Sequence, residues 1–216
     1  MKWLGLSVFD LDHTLVKGNS SFGFCLYLIS KGALPFYSLL YAFCYYVRHY
    51  FFGLSLEELH KRIFKLLLKG RSLSLLEKHA ESFVDFYLAK AINFSTLFRL
   101  RLAQHLGHYT LILSNSPYFL VSAFAKRLGV DGCSATRYGV DKNNRLSRID
   151  FILQGKEKAE CVDQVASSFQ IPKERVTAYS DSYLDLPFLL TAGTAVVVNP
   201  DRKLLKYSKS HAWTIL

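Results

Sequence analysis

Paired cysteines, metal-finger spacings and long basic runs are all missing from this chain. Its four cysteines, Cys25, Cys44, Cys133 and Cys161, are widely spread and form no CxxC pair. That argues against a disulfide framework or a zinc site and fits a reducing compartment. Five prolines and 12 glycines in 216 residues exclude a collagen-like repeat. Basic residues never run longer than a pair such as Lys61-Arg62, and no zinc-finger or RNA-binding signature accompanies them. The excess of 27 Lys and Arg over 17 Asp and Glu therefore reads as a solvated basic surface that draws in phosphorylated small molecules, with no nucleic acid expected. A signal peptide is not expected either, because Asp10 and Asp12 end the apolar stretch from Trp3 to Phe9 before any cleavage site. The expected location is cytoplasmic.

One absence is local. Between His13 and Leu56 there is not a single Asp or Glu, and positions 22–52 hold 12 of the chain's 32 aromatic residues. Beyond these gaps the composition is that of a globular protein: half the residues are hydrophobic and a fifth charged, enough for a sizeable core in one domain or a core with an inserted subdomain.

Trp3 to Phe9 reads as a short buried strand ending at the acidic turn Asp10-Leu11-Asp12-His13-Thr14. Ser55-Leu56-Glu57-Glu58 and Ser74-Leu75-Leu76-Glu77 have the form of capping boxes, each opening an amphipathic helix. Leu59, Ile63, Leu66 and Leu67 would form the apolar stripe of the first, and Phe83, Phe86 and Tyr87 that of the second. From about residue 95 the rhythm becomes strand, turn, helix. Thr110–Leu113 is a strand, and Ser116 is expected to cap a helix with Pro117 at its first position and Gly129 at its end. Cys133–Tyr138 is a further strand, followed by a polar excursion through 141–144 and a helix from Gly155 to about Ser168. Val176–Tyr179 and Ala195–Val198 complete the strands. This alternation implies an α/β fold with parallel strands and helices on both faces.

Such sheets place ligands at the carboxyl ends of their strands. Four polar clusters fall at predicted strand ends or helix starts: Asp10/Asp12/Thr14, Ser114, Lys156 and Asp181/Asp185. These residue types suit Mg²⁺-assisted phosphoryl transfer. One carboxylate attacks phosphorus, a second handles the leaving-group proton, others hold a hard cation, and a lysine and a hydroxyl neutralise phosphoryl oxygens. Singly, each has a plainer reading as a turn former, a cap or a solvated helix residue. Their coincidence in one order argues for catalysis.

The order Asp-x-Asp-x-Thr, strand-end Ser, Lys, then Asp-x-x-x-Asp resembles the haloacid dehalogenase (HAD) superfamily, closest to its phosphoserine-phosphatase-like subfamily IB branch. Phe9-Asp10-Leu11-Asp12-His13-Thr14-Leu15, Ser114-Asn115-Ser116-Pro117, Tyr179-Ser180-Asp181-Ser182, Asp185-Leu186-Pro187 and Val198-Asn199-Pro200-Asp201 carry the likeness. It implies a three-layer, Rossmann-like core from residues 1–15 and 95–216, with a helical cap, 16–94, inserted after the first motif. It also implies roles. Asp10 would be the nucleophile and a Mg²⁺ ligand, and Asp12 the general acid/base with its backbone carbonyl on the metal. Ser114 and Asn115 would bind phosphate, and Lys156 would balance charge, with Lys158 the less favoured claimant. Asp181 and Asp185 would serve the metal, Thr14 would support the loop, and His13 would shape the mouth. Two positions depart from phosphoserine phosphatases: Asn19 stands where they carry an acid, and Leu184 where they carry an Asn. Phosphoserine is therefore not the first expectation for substrate.

The expected activity is Mg²⁺-dependent hydrolysis of a small phosphorylated metabolite through an aspartyl-phosphate. The alternatives are a phosphotransferase using the same intermediate, or a membrane-associated or oligomeric binding protein with a vestigial site; retention of every charged position argues against the last. For Phe22, Phe24, Tyr27, Tyr41, Phe43 and their neighbours three readings compete: cap interior, a homo-oligomer face, or membrane-surface contact. A spanning helix is disfavoured, since Gly32–Val47 is only 16 residues and contains Pro35.

Overall fold

The structure, a computed structural model, describes residues 3–41, 44, 47 and 55–216, with nothing said of the Leu56 side chain. Its centre is strand β1 (Gly5–Asp10), buried at all six positions, as expected for a strand covered on both faces. Strands β2 (His108–Pro117), β3 (Gly132–Val140) and β4 (Leu146–Phe151) lie on one side of it. On the other lie β5 (Val176–Ser180), β6 (Thr194–Val197) and β7 (Thr214–Ile215), giving the order β4-β3-β2-β1-β5-β6-β7. All neighbours are parallel except β3 and β4, which pair antiparallel. The polar excursion at 141–144 is thus a hairpin turn: Asp141 Oδ1 accepts from the backbone N–H of Asn143 and Arg145.

Side-chain alternation divides the core in two. Leu6, Val8, Leu111, Leu113, Ala178 and Val197 face a cluster completed by α6 (Gly155–Ser168), α7 (Leu186–Leu189) and α8 (Arg202–Ser210). Phe9, Ile112, Tyr179 and Val196 face a second cluster, with α1 (Ser20–Ser30), α3 (Leu73–Ala91), α4 (Phe94–His105) and α5 (Tyr118–Leu128). Helix α2 (Leu56–Ile63) continues into a π-helical turn, Phe64–Leu68.

The chain leaves and re-enters the sheet layer at one place. Lys17 N–H donates to Ala91 C=O at 2.7 Å, Asn93 N–H donates to Leu15 C=O at 2.9 Å, and Val16 bridges Ile92. The proposed division into a core (1–15, 95–216) and a cap (16–94) falls close to this pair of crossings. One apolar cluster nevertheless runs through both parts, with Phe24 and Phe83 packed against Phe119 and Phe124. The β3–β4 hairpin also grips 70–74: Gly70 N–H donates to Leu146 C=O, Leu146 N–H to Arg71 C=O and Leu73 N–H to Asn144 C=O.

Local chemistry departs from the sequence reading at several points. Ser55 caps α2 as expected, accepting from Glu58 N–H, but Ser72, not Ser74, caps α3. Ser116 does not cap α5, whose first turn follows Pro117; its hydroxyl is engaged elsewhere. Gly129 ends α5 in the left-handed conformation, φ 63°, as a glycine allows. Phe86 and Leu66 are exposed rather than in their helices' buried stripes. Of the aromatic segment, Phe24 is buried and Tyr27 packs partly against the core, whereas Phe22 and Tyr41 are exposed; Phe43 lies outside the described residues. Among the described residues no helix is long and apolar enough to cross a membrane.

Candidate active site

Register alone brings the acidic motifs together. Asp10 ends β1 opposite Leu113, one residue before Ser114. On the other side Phe9 pairs with Tyr179, so Ser180 and Asp181 follow at the same level. Nucleophile candidate, hydroxyl and second acid thus sit at the C-terminal ends of three adjacent parallel strands, beside the strand where chain order reverses.

Asp10 lies on the face of the sheet that carries α6, and there it meets Lys158 rather than Lys156. The Lys158 Nζ donates to Asp10 Oδ1 at 2.6 Å and to Asp185 Oδ2 at 2.8 Å, and its side chain is 2 % exposed. Lys156 is exposed to solvent. This corrects the choice between the two lysines, and the cause is helical phase: Gly155, Lys158 and Val162 are the buried positions of α6, an i, i+3, i+7 stripe. Gly155 allows the approach, since a Cβ there would lie 2.1 Å from the Leu184 carbonyl oxygen. Asp185 is at the N-cap position of α7 without capping it; its carboxylate accepts from Lys158 and from the Ser180 hydroxyl at 2.7 Å.

Asp12 is held apart from this buried cluster. Its Oδ1 accepts from Ser20 N–H at 2.6 Å, at the start of α1, and its Oδ2 from the Ser116 hydroxyl at 2.8 Å. Because that proton is committed to Asp12, the Ser21 hydroxyl donates to Ser116, 2.7 Å away. Sequence reading took Ser116 for a helix cap and passed over Ser20 and Ser21, and no local signal ties any of the three to Asp12. Thr14 donates to Asp181 Oδ1 at 3.3 Å, supporting the loop as expected. Ser114 is fully buried, its Oγ accepting from Ser116 N–H. Asn115 beside it is half-buried, its carbonyl accepting from Thr136.

Electrostatically the site is short of positive charge. Burial pushes the Asp10 carboxyl well above the usual carboxylate range; Lys158 opposes this, while Asp185, Asp181 and Asp12 reinforce it. Asp181 is raised to about 6, chiefly by burial. Burial would pull the Lys158 ammonium down, but Asp10 and Asp185 hold it above the ordinary lysine range. The donors are hard carboxylate oxygens, suited to Mg²⁺, and a dication would offset the repulsion that raises Asp10 and Asp181. As the side chains stand, no three acidic, histidine or cysteine groups among the described residues converge as a metal cluster; Asp185 is turned to Lys158 and Ser180 and Asp12 to Ser20 and Ser116. The chemistry of the set fits the ion.

An open pocket of about 480 Å³ forms the mouth, lined by His13, Lys17, Asp181, Asn199 and Asp201. His13 and Asn199 adopt left-handed backbone, φ 59° and 43°, a conformation that non-glycine residues take at some cost where the fold requires it. Asp201, missed as a site residue, ties the rim together: it accepts from Tyr183 N–H and caps α8.

The model of the haloacid dehalogenase-like hydrolase family matches residues 7–190. A Mycobacterium tuberculosis protein named phosphoserine phosphatase is 31 % identical over 213 residues, 96 % of this chain and 68 % of its own. A Neisseria meningitidis protein named histidinol-phosphatase is 25 % identical over 229 residues, 98 % of this chain and 97 % of its own. A solved Bordetella pertussis protein of unknown function superposes with a TM-score of 0.85 at 20 % identity, covering 98 % of this chain and 97 % of that one. The family match spans most of the chain, which therefore belongs to the haloacid dehalogenase-like hydrolases and is similar to proteins named phosphoserine phosphatase and histidinol-phosphatase.

Proposed function

We propose that the chain hydrolyses a small phosphate monoester through an aspartyl-phosphate on Asp10, with Mg²⁺ as cofactor. The observation that carries this reading is the pairing of Asp10 with buried Lys158 while Asp12 is separately held by Ser20 N–H and Ser116. The two carboxylates are thereby given different environments, as nucleophile and general acid/base require. A carboxylate oxygen of Asp10 attacks phosphorus and the bond to the leaving oxygen breaks. Asp12 delivers its proton to that oxygen, then takes one from water, whose oxygen attacks the phosphoryl group and frees Asp10. Lys158 offsets charge on Asp10 and the phosphoryl oxygens, and Ser114 with the neighbouring backbone N–H groups orients them. Asp10, Asp181, Asp185 and the Asp12 carbonyl would hold Mg²⁺, which when bound supplies charge neutralisation for the phosphoryl group.

Phosphoserine is not the preferred substrate in this reading. Asn19, standing at the acidic position of phosphoserine phosphatases, spends its side chain capping α1 through Phe22 N–H. Leu184, in place of their Asn, is 65 % exposed. Neither supplies a charge for an amino group.

Phosphate release from a panel of phosphomonoesters, with and without Mg²⁺, for the native chain and Asp10→Asn tests the reading. Expected are turnover that EDTA abolishes and excess Mg²⁺ restores, and its loss by at least about 10³-fold in the variant. Turnover unchanged by Asp10→Asn would sink the mechanism.

A further inference from the structure

Residues 37–41 are helical, and their polarity is reversed. Ser38 is 5 % exposed, while Phe36, Tyr37, Leu40 and Tyr41 are 75, 63, 62 and 51 % exposed. Spacings of i, i+1, i+4 and i+5 set the four on one side. A surface helix of a globular protein normally turns such a face inward. Scattered exposed apolar residues need no explanation, but a contiguous stripe does.

The stripe stands on a fixed base. Leu34 is buried, Ser38 N–H donates to Pro35 C=O at 3.0 Å, and the Arg71 guanidinium donates to the Ala33 and Leu67 carbonyls at 2.8 and 2.5 Å. Lys31, five residues before Phe36, is exposed, its ammonium 5.5 Å from the Tyr27 ring. The acid-free stretch from His13 to Leu56 also contains Lys17 and Arg48.

Charge decides between the occupants of such a face. A second copy meeting it across a two-fold axis would bring the same stretch against itself, where the sequence from 14 to 55 offers no acid to pair Lys31. An anionic bilayer offers both an apolar layer for the rings and phosphates for the cations. We propose that Phe36, Tyr37, Leu40 and Tyr41 dock the protein peripherally on a membrane surface rich in anionic lipid, with Lys31 facing the lipid phosphates. This docking is independent of the phosphatase reading.

The test is sedimentation of the full chain with vesicles of phosphatidylcholine alone and of phosphatidylcholine with one-third phosphatidylglycerol, at low and raised salt. Phe36→Ser/Leu40→Ser and Lys31→Ala accompany the native chain, and sedimentation equilibrium without lipid reports self-association. Both variants change exposed positions, so circular dichroism and thermal melting should match native. The native chain should bind the anionic vesicles and weaken with salt, the double variant should bind at least tenfold less, and Lys31→Ala roughly fivefold less. No binding to either vesicle overturns the proposal. So does anionic binding that survives the double variant, which would move the contact to another basic surface such as α8. A dimer abolished by the double variant, with no lipid binding, would assign the face to a second copy instead.

Discussion

Lys158 carries the residue-scale lesson. A lysine loses hydration on burial, a cost of several kcal/mol, and is stable there only with well-placed partners; Lys158 has Asp10 and Asp185 within 2.8 Å. Removing it would leave two buried carboxylates facing each other. Lys158→Met should therefore cost about 3–5 kcal/mol in urea denaturation and lower kcat/KM by roughly 10²–10³-fold. Lys156→Met, changing an exposed residue, should stay within about 0.5 kcal/mol of native. A crippled Lys156→Met beside a healthy Lys158→Met would contradict the assignment. Motif order in the sequence points to a lysine in this neighbourhood; the apolar stripe of α6, with Val162 four residues on, is the signal that separates the two.

Elements are positioned by contacts as narrow as one atom. Helix α6 meets the turn before α7 at Gly155, where an added methyl would press on the Leu184 carbonyl, a backbone atom that cannot swing aside. Gly155→Ala should cost about 1–3 kcal/mol and reduce kcat at least about tenfold by displacing Lys158 from Asp185; unchanged turnover in a folded variant would show that the contact relaxes harmlessly. Across the molecule, α2 is fastened to β3 by His60, whose Nε2 and the Tyr138 hydroxyl are 2.5 Å apart. Burial lowers the His60 pKa from 6.5 to about 4. Between those values the unfolded chain binds the proton and the folded one does not, so stability falls as pH drops from 6.5 toward 4. The loss should be about 2 kcal/mol at pH 5 relative to pH 7. Urea midpoints at both pH values, for the native chain and His60→Gln, would check it: the variant should lack this part of the acid sensitivity.

The whole molecule sets the limit on what local pattern can reveal. Six of seven strands pair in parallel, as the strand–helix alternation implies, yet β4 is not among the strands expected from the sequence: Leu146–Phe151 lies on an edge with five of its six residues exposed or half-buried. The two-residue β7 carries no pattern at all. The segment proposed as a cap shares an apolar cluster with the rest of the chain and is held by the β3–β4 hairpin, so any opening of it would disturb one or both. In the proposed function, substrate would be selected at the mouth lined by His13, Lys17, Asn199 and Asp201, residues from two distant segments. Relatives named for different phosphate esters fit a shared phosphoryl site beneath a divergent entrance.

Asp10, Asp12, Asp181 and Asp185 are legible in the sequence alone as acids at strand ends, because an acid closing a buried strand and its partner two or four residues on are local facts. So are the α/β class and the capping of α2, which depend on short-range periodicity and one side chain reaching one backbone N–H. Tertiary structure decided which lysine meets Asp10, since that depends on the rotation of α6 against the sheet. It decided which hydroxyl holds Asp12, because Ser116 lies 104 residues away in the chain and only strand order brings them into contact. And it decided that the Phe36–Tyr41 stripe faces out, since burial is a property of what the rest of the chain covers, which no window of sequence contains.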